Sequence, residues 1–466
     1  MHLIQGGDSM KVHYIDREKV SIAFFPDTKR FFRVNNKAKN LIDDMLIGKS
    51  KQDIMHTFEI SESLYQKYYD NIFKNTFSGN SNSLSRGVEN ELSRLVIHLT
   101  NDCNMRCKYC YANGGNYHSK RDVMDVEILD QILNVFFNRF NIISNVQFFG
   151  GEPLMNLPLL EYACHKLSDK AEERNYSIIF GIVTNGTLIN SRFIDLVNKY
   201  RIQVTLSYDG NPVVNDMMRI MKDQTRSSSI ILKNAKRLKD ETGQPQTVEV
   251  TYNQHHVEQG VSITDCVKHI QTILPNTQVH LVPAGDIGNS DYSISDLHIF
   301  SDSIHEIVDQ SIKTNGQNVP TYSLAQRIFF ALENRDANIP FICDAGLGTL
   351  SVSTKGDVYP CFMFTDDQKM CYGNINDSHL FDSEQSITLQ KKLSAFSIKD
   401  QNLECKDCFI KKLCNGCLGL NSFYSGDPFK LAPPICNMFR TMSEEVLVEY
   451  TMLHETQKRE LVENYV

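Results

Sequence analysis

Residues 95–118 of the chain read L-V-I-H-L-T-N-D-C-N-M-R-C-K-Y-C-Y-A-N-G-G-N-Y-H. The apolar run Leu95–Leu99 is typical of a buried parallel strand. Three cysteines follow at once, Cys103, Cys107 and Cys110, and the turn residues on either side of them predict a loop. Such a loop can wrap three thiolates around one metal centre. Because a four-iron cluster that only carries electrons takes four cysteines, three leave one iron open for an exchangeable ligand.

The alternatives for this loop are a structural zinc site or chance. Structural zinc takes four closed ligands, usually as C-x-x-C pairs, and chance rarely places three cysteines within eight residues. The spacing, with Tyr109 just before the last cysteine, resembles the signature of the radical S-adenosylmethionine (radical SAM) enzymes. The resemblance implies that Cys103, Cys107 and Cys110 ligate a 4Fe-4S cluster whose open iron chelates the methionine part of SAM.

Composition narrows the class of protein. A chain of 466 residues, 41% hydrophobic and 22% charged, is expected to form about two or three domains with a sizeable core. The net charge of −8 argues against a nucleic-acid or membrane partner, and neither a membrane span nor a secretion signal is recognisable. Thirteen clustered cysteines favour metal binding or catalysis over disulfides. A cytoplasmic protein is predicted.

Residues 1–85 have a pattern of their own. Short alternating runs at 12–14, 20–25 and 31–34 predict strands, and helices are predicted over 36–46, 51–58 and 61–73. This order resembles a winged helix, but acidic residues in the helices and the turn between them do not favour DNA contact. The segment resembles instead the peptide-recognition domain at the front of many peptide-modifying enzymes. That resemblance implies that the leader of a precursor peptide adds a strand to the sheet edge. The polar stretch 78–87 is the predicted linker.

From residue 95 to about residue 283, strand patterns alternate with longer amphipathic stretches, which predicts parallel βαβ units. The strand patterns lie at 95–99, 146–149, 178–183, 202–206, 248–252 and 279–282. Six units make a partial (β/α)6 barrel, the α/β fold that the radical SAM resemblance implies. Functional residues are then expected at the carboxyl ends of the strands.

The motifs that follow successive strands resemble the SAM-binding positions of that family. Gly150-Gly151-Glu152-Pro153 follows the second strand, Thr184-Asn185 the third, and Ser207 ends the fourth, with Arg219 twelve residues further on. The resemblance implies that SAM is held by Tyr109, Gly150, Gly151, Glu152, Thr184, Asn185, Ser207 and Arg219.

Within this set, Ser207 and Arg219 are expected to hold the methionine carboxylate through charge-assisted hydrogen bonds. The alternative for Arg219 is a surface ion pair with Asp216. His98, inside the first strand, is predicted to be a core histidine, and Cys164 and Cys266 to be packing residues. No catalytic side chain is assigned.

Beyond residue 283 the alternation ends. Helices predicted over 296–313 and 324–337 form a bridge, and a second set of cysteines follows: Cys343, Cys361, Cys405, Cys408, Cys414, Cys417 and Cys436. Four of these, spaced C-x-x-C-x-x-x-x-x-C-x-x-C, also fit a zinc ribbon. Together with Gly356 and Tyr359-Pro360, the whole set resembles the SPASM extension, which implies two auxiliary iron–sulfur clusters. The spacing departs once, since only Asn415-Gly416 separates Cys414 from Cys417, where relatives have three residues.

The SPASM resemblance also implies a ligand set for each auxiliary cluster. The second cluster takes Cys405, Cys408, Cys414 and Cys436, and the first takes Cys343, Cys361 and Cys417. Cys371 is either the missing fourth ligand or a buried thiol. The implied cofactors are therefore SAM and three 4Fe-4S clusters. The predicted domains are the recognition domain with its linker (1–85), the barrel (86–290), the helical bridge (291–340) and the SPASM domain (341–466).

Taken together, the chain resembles the sactipeptide and ranthipeptide thioether synthases among the radical SAM peptide maturases. In these enzymes reductive cleavage of SAM gives a 5′-deoxyadenosyl radical, the radical takes a hydrogen from a precursor peptide, and a peptide thiolate held on the first auxiliary cluster joins the resulting carbon radical. The implied partners are the precursor peptide, with its leader on the N-terminal domain, and an electron donor such as flavodoxin or ferredoxin.

Three alternatives remain open. The first is a maturase that forms carbon–carbon or carbon–oxygen links, with both auxiliary clusters closed. The second is an anaerobic sulfatase (formylglycine) maturase, in which an Asp follows the cysteine that matches Cys361, whereas Phe362 stands here. The third is a non-catalytic regulator with zinc in both cysteine regions, which would leave the motifs at the strand ends without a purpose.

Overall fold

The computed structural model describes residues 10–73, 90–286, 290–334 and 340–463. The predicted linker at 78–87 lies outside these residues. None of the helices in the described ranges is long and apolar enough to cross a bilayer.

The N-terminal module (residues 10–73) is a small antiparallel sheet followed by three helices. Its elements are β1 (His13–Asp16), β2 (Ser21–Phe25), β3 (Arg30–Val34), α1 (Asn36–Leu46), α2 (Lys51–Phe58) and α3 (Glu62–Phe73), with strand order β1-β2-β3. Polar caps set the helix starts, because the side chain of Asn35 accepts a hydrogen bond from Ala38 N and that of Ser50 from Asp53 N. These elements lie where the sequence predicts them. The winged-helix assignment stays a prediction.

The central unit contains six parallel strands in the order β4-β5-β6-β7-β8-β9. Its elements are β4 (Glu91–Thr100), α4 (Val126–Arg139), β5 (Ile142–Gly150), α5 (Leu157–Glu172), β6 (Ile179–Thr184), α6 (Ser191–Tyr200), β7 (Gln203–Ser207), α7 (Pro212–Met218), α8 (Ser228–Thr242), β8 (Thr247–Tyr252), α9 (Gln254–Glu258), α10 (Ile263–Ile273) and β9 (Gln278–Pro283). Leu95, Val96 and Ile97 of β4 are fully buried, as expected of a strand covered on both faces. The six predicted strands and their parallel arrangement are confirmed.

The remaining described residues are mostly helical, with three short strands that pair antiparallel in the order β10-β11-β12. Its elements are α11 (Ile299–Thr314), α12 (Ser323–Glu333), β10 (Thr349–Val352), β11 (Asp357–Tyr359), β12 (Gly373–Asn374), α13 (Glu384–Ser397), α14 (Leu418–Ser425), α15 (Pro433–Tyr450) and α16 (Glu455–Glu463). The helix predicted over 324–337 is described as far as Glu333, since residues 335–339 lie outside the described ranges.

Strand β10 joins the C-terminal region to the barrel. It runs parallel to β4, with Leu350 opposite Leu95, and extends the sheet to nine strands in the order β12-β11-β10-β4-β5-β6-β7-β8-β9. The sheet therefore crosses residue 341, where the sequence predicts a domain boundary. The pairing of β10 with β4 therefore places the segment between Cys343 and Cys361 beside the strand that precedes the cysteine loop.

The N-terminal module is docked on the C-terminal region. Strand β2 is buried on both faces: Ala23 and Phe25 belong to the module's own core, whereas Ile22 and Phe24 belong to the core that α15 shares with the second half of the barrel. The alternation of side chains along a strand makes this sandwich possible. At the rim, the ring of His13 stacks on Phe409 with centroids 3.6 Å apart.

Candidate functional site

The loop after β4 carries the three predicted cysteines. Its backbone is tied to the end of α7, since Arg106 N donates to Ile220 O at 2.7 Å and Lys108 N to Met218 O at 2.9 Å. Burial raises the pKa of the Cys103 and Cys107 thiols to about 12. The thiolates of Cys103 and Cys107 would therefore need the positive charge of a metal centre to stay deprotonated.

Gly150 and Gly151 bring the end of β5 against this loop. A Cβ on Gly151 would lie 2.1 Å from the carbonyl oxygen of Asp102, and a Cβ on Gly150, whose φ is +137°, would lie 2.1 Å from that of Thr100. The same carbonyls accept hydrogen bonds, Thr100 O from Gly151 N at 2.8 Å and Asp102 O from Glu152 N at 2.9 Å. Glycine is needed here because backbone meets backbone. The close partner is the cysteine loop itself, whereas the sequence analysis expected a ligand.

Glu152 joins the ends of β5 and β6. Its carboxylate is 1% exposed and accepts hydrogen bonds from Leu154 N (3.1 Å), Thr184 Oγ1 (2.7 Å) and Asn185 N (2.8 Å). Burial raises its pKa to about 7, against the lowering effect of these three donors. Asn185 continues the contact toward the loop, since its Nδ2 lies 3.8 Å from Cys103 Sγ. The structure thus brings Glu152, Thr184 and Asn185 together beside the first cysteine.

Asp209 organises the other side of the loop. It is fully buried and accepts from Arg219 Nε at 3.0 Å and from the Tyr109 hydroxyl at 2.6 Å. The alternative partner of Arg219, Asp216, is wrong, because Asp216 accepts instead from the backbone of Ser227 and Ser228 at the start of α8. Ser207 lies half-buried at the end of β7, two residues before Asp209.

Two functional contacts were missed by the sequence analysis. Asp209 received no role in the sequence analysis, although an acid two residues after the end of a strand was a usable signal. His256 donates from Nε2 to Asp209 O at 2.7 Å, while its Nδ1 accepts from Asn253 N at 3.1 Å. Nothing in the sequence singles out this histidine, since its partner lies 47 residues away.

The remaining single residues have mostly structural settings. Cys164 and Cys266 are fully buried in α5 and α10, as predicted for packing residues. His98 is buried in β4, and burial lowers its pKa to about 3. Its Nε2 lies 3.1 Å from Ser351 Oγ, but its Nδ1 has no partner among the described residues. His98 is therefore a neutral core histidine that is only half satisfied.

Four cysteines form a group that we name the second auxiliary set: Cys405, Cys408, Cys414 and Cys436. They influence one another electrostatically, since the charges of Cys436 and Cys408 both raise the pKa of Cys405 and of Cys414. Three of them come from the loop before α14 and the fourth from α15. This grouping is the one that the sequence analysis expects, and ligation by these four stays a prediction.

Cys343, Cys361 and Cys417 form the first auxiliary set. The pKa of Cys361 is raised by burial and further by the charges of Cys417 and Cys343. Cys371 has other neighbours: its thiol faces Gly373 O at 3.6 Å, and its pKa is raised by burial and by the charge of Asp357. Next to Cys417 Sγ, at 3.9 Å, lies the thioether sulfur of Met363.

The described residues contain no group of three His, Cys, Asp or Glu side chains that is close enough to hold a single metal ion. The ten cysteines of the loop and of the two auxiliary sets are half-buried and free of disulfides. Cysteine thiolates are the ordinary ligands of iron–sulfur clusters.

Two family models match the chain. The radical SAM superfamily model matches residues 97–257, and the SPASM iron–sulfur cluster-binding domain model matches residues 343–409. The chain therefore carries a radical SAM domain and a SPASM domain, which imply an enzyme that uses SAM and iron–sulfur clusters.

Among its relatives is the radical SAM cyclopropyl synthase TigE of Paramaledivibacter caminithermalis, 24% identical over 78% of this chain and 76% of TigE. The subtilosin biosynthesis protein AlbA of Bacillus subtilis is 22% identical over 91% of each chain. Two further relatives align over less than half of their own length. These are an uncharacterised protein of Methanocaldococcus jannaschii (35% identical; 30% of this chain, 47% of that protein) and a cysteine-type anaerobic sulfatase-maturating enzyme of Clostridium novyi (29%; 31% and 40%).

Solved structures confirm the fold. Native anSMEcpe with bound AdoMet superposes with a TM-score of 0.63 at 19% identity, over 78% of this chain and all of that one. Streptococcus suis SuiB bound to its precursor peptide SuiA superposes with a TM-score of 0.51 at 14% identity, over 92% and 99% of the two chains.

Proposed function

We propose that the chain is a radical SAM peptide maturase that installs thioether crosslinks in a ribosomally made precursor peptide. The relatives support a peptide substrate: AlbA takes part in subtilosin biosynthesis, and SuiB is known in complex with a precursor peptide. The particular substrates of these relatives are not assigned to this chain.

Each region of the chain has a role in this proposal. When bound, SAM and the cluster at Cys103, Cys107 and Cys110 supply a 5′-deoxyadenosyl radical. The residues that hold SAM in this proposal lie in the cysteine loop (Tyr109), at the strand ends (Gly150, Gly151, Glu152, Thr184, Asn185 and Ser207) and directly after α7 (Arg219). Asp209 positions two of them, Arg219 and Tyr109. With two auxiliary centres, the protein holds three 4Fe-4S clusters, and a flavodoxin or ferredoxin supplies electrons in the cytoplasm.

The observation that carries the thioether assignment is the composition of the first auxiliary set. Cys343, Cys361 and Cys417 are three thiols, whereas a closed four-iron cluster takes four. Cys371 is the natural candidate for the fourth, but its thiol faces a backbone carbonyl and the charge that acts on it is that of Asp357. One position of the centre is then left for a cysteine thiolate of the substrate.

The N-terminal module is the proposed leader-binding domain. Its outer strands β1 and β3 each pair on one side only among the described residues, and an extended peptide can add a strand to such an edge. The module is docked beside the second auxiliary set through His13 and Phe409. A bound leader would therefore be anchored to the body of the enzyme.

Two other functions are weaker. The sulfatase-maturase alternative lacks the expected acid after Cys361, because Phe362 occupies that place and packs on Phe149 with ring centroids 4.5 Å apart. Formation of a carbon–carbon bond is the second candidate, and the relationship to the cyclopropyl synthase TigE favours it. In that case both auxiliary centres would be closed.

Iron and sulfide content with Mössbauer spectra, on protein purified without oxygen, separates these candidates. The wild type and Cys371→Ala should both hold about twelve irons with the same spectrum, whereas Cys361→Ala, the matched control, should lose an auxiliary signal. Loss of iron or an altered auxiliary signal in Cys371→Ala would show that Cys371 is the fourth ligand of the first auxiliary cluster, which would then have no open position. The assignment would then move to carbon–carbon crosslinking.

A further inference from the structure

The second auxiliary set is surrounded by cationic side chains. Lys399, at the end of α13, is 4% exposed, and its Nζ donates to the carbonyl oxygens of Lys411 at 2.6 Å and Cys414 at 2.5 Å. These two hydrogen bonds hold the ammonium group inside the cysteine loop. Burial lowers the pKa of Lys399, as does the charge of Arg327, whereas the charges of Cys414, Cys405 and Cys408 raise it.

A second cation reaches the same set from helix α15. Arg440 follows Cys436 by four residues, so the two side chains share a helix face. Although burial opposes the shift, the pKa of Arg440 is raised by its hydrogen bond with Cys408 and by the charges of Cys408, Cys436 and Cys414. Its Nη1 also donates to Asn437 Oδ1 at 3.0 Å. The nearby carboxylate of Glu404 is exposed, so its influence is screened by water and salt.

The first auxiliary set has a different electrostatic environment. The carboxylate of Asp344 acts on both Cys343 and Cys417, and the guanidinium of Arg94 acts on Cys361. Arg94 Nη2 and Asp344 Oδ1 lie 3.9 Å apart, so the two charges largely cancel. The first set therefore carries no net positive charge from these neighbours, in contrast to the second.

We propose that Lys399 and Arg440 hold the reduction potential of the second auxiliary cluster above that of the first. A cluster ligated by thiolates becomes more negative when it takes up an electron, so a fixed cation stabilises its reduced form, and burial strengthens the effect. With both clusters bound, this order of potentials would favour passage of one electron from the first cluster, which would be oxidised, to the second, which would be reduced, with no proton required. An electron-carrier protein would then accept the electron from the second cluster.

This inference rests on the cluster assignment of the proposed function, and its test uses the full chain. Reconstituted protein with Cys103, Cys107 and Cys110 replaced by Ala would retain only the auxiliary clusters, and Cys343→Ala would tell their signals apart. In an EPR-monitored redox titration the second cluster should reduce at the higher potential. Lys399→Met should lower that potential most, Arg440→Gln should lower it less, and the first cluster should stay unchanged.

Two variants serve as controls. Lys399→Arg keeps the charge and should keep the potential, and exposed Lys406→Met, which removes a charge from the same loop, should shift it least. An unmoved potential in both Lys399→Met and Arg440→Gln, with iron retained, would overturn the proposal. If Lys399→Met loses the second auxiliary cluster, the reduction potential measured in Arg440→Gln decides whether the proposal holds. Absence of a second auxiliary cluster in the wild type, by iron content, would refute the cluster assignment separately.

Discussion

The cysteine loop and the auxiliary sets group their thiols by different routes. Cys103, Cys107 and Cys110 come from one loop, which two glycines clamp against the end of the neighbouring strand. The seven auxiliary cysteines come from residues 343–436 and meet only because β10 pairs with β4 and because α14 and α15 pack behind the sheet. A single substitution at the glycine contact should therefore displace the cysteine loop. The auxiliary sets depend on many small contacts, so no single substitution there should have as large an effect.

Gly151→Ala should have the largest effect. The new methyl group would lie 2.1 Å from Asp102 O, so the loop must move. We expect loss of about a third of the iron, that of the SAM-binding cluster, and loss of 5′-deoxyadenosine release from SAM with dithionite. Iron analysis and chromatography of the nucleoside would measure both.

The matched control for this variant is Gly181→Ala in β6, where the nearest atoms lie 3.9 Å from the new Cβ. It should keep its iron and its SAM cleavage. A Gly151→Ala protein with full iron content and normal cleavage would show that the loop is not clamped at this contact.

Asp209→Asn should have an intermediate effect on the same region. It breaks a buried ion pair, since Arg219 and Asp209 are 8% and 0% exposed and lie 3.0 Å apart, and such a loss costs about 3 kcal/mol. SAM binding should weaken as well, because Arg219 and Tyr109 both lose their anchor. Urea unfolding and equilibrium dialysis with SAM measure the two effects.

Arg192→Gln is the control, because its pair with Glu161 (2.6 Å) is mostly exposed and should change stability by less than about 1 kcal/mol. Equal destabilisation in the two variants would contradict the special role of the buried pair.

The smallest effect is expected from loss of one contact between α11 and α15, the helix that carries Cys436. His305 of α11 hydrogen-bonds to Glu449 at 2.9 Å, and this bond raises the pKa of His305 above its usual value of 6.5. The folded state thus favours the protonated form. The stabilisation is complete below the usual pKa and is lost as pH rises through the raised one.

Thermal unfolding of wild type and His305→Gln at pH about 6 and about 8 tests this contact. At the lower pH the wild type should be slightly more stable than His305→Gln, and this difference between the two proteins should shrink at the higher pH. A difference that grows with pH would have the wrong sign for this bond. Iron content should not change in either protein, since the auxiliary sets depend on many contacts.

Prediction from sequence succeeded where chemistry and spacing are local. The six barrel strands and the loop character of the first three cysteines followed from apolar runs and turn residues. It failed where a side chain has two acidic neighbours and the fold chooses between them. Arg219, directly after α7, pairs with Asp209 ten residues earlier and not with Asp216, because Asp216 accepts hydrogen bonds from the backbone at the start of α8.

The sequence by itself determined the class of chemistry, since three closely spaced cysteines and motifs at successive strand ends need no knowledge of distant contacts. Only the tertiary structure showed that the thiol of Cys371 faces Gly373 O and that the ammonium of Lys399 is held inside the loop of the second auxiliary set. The physical reason is that thiol grouping and burial depend on how β10, α14 and α15 pack, and no short stretch of the chain encodes that packing.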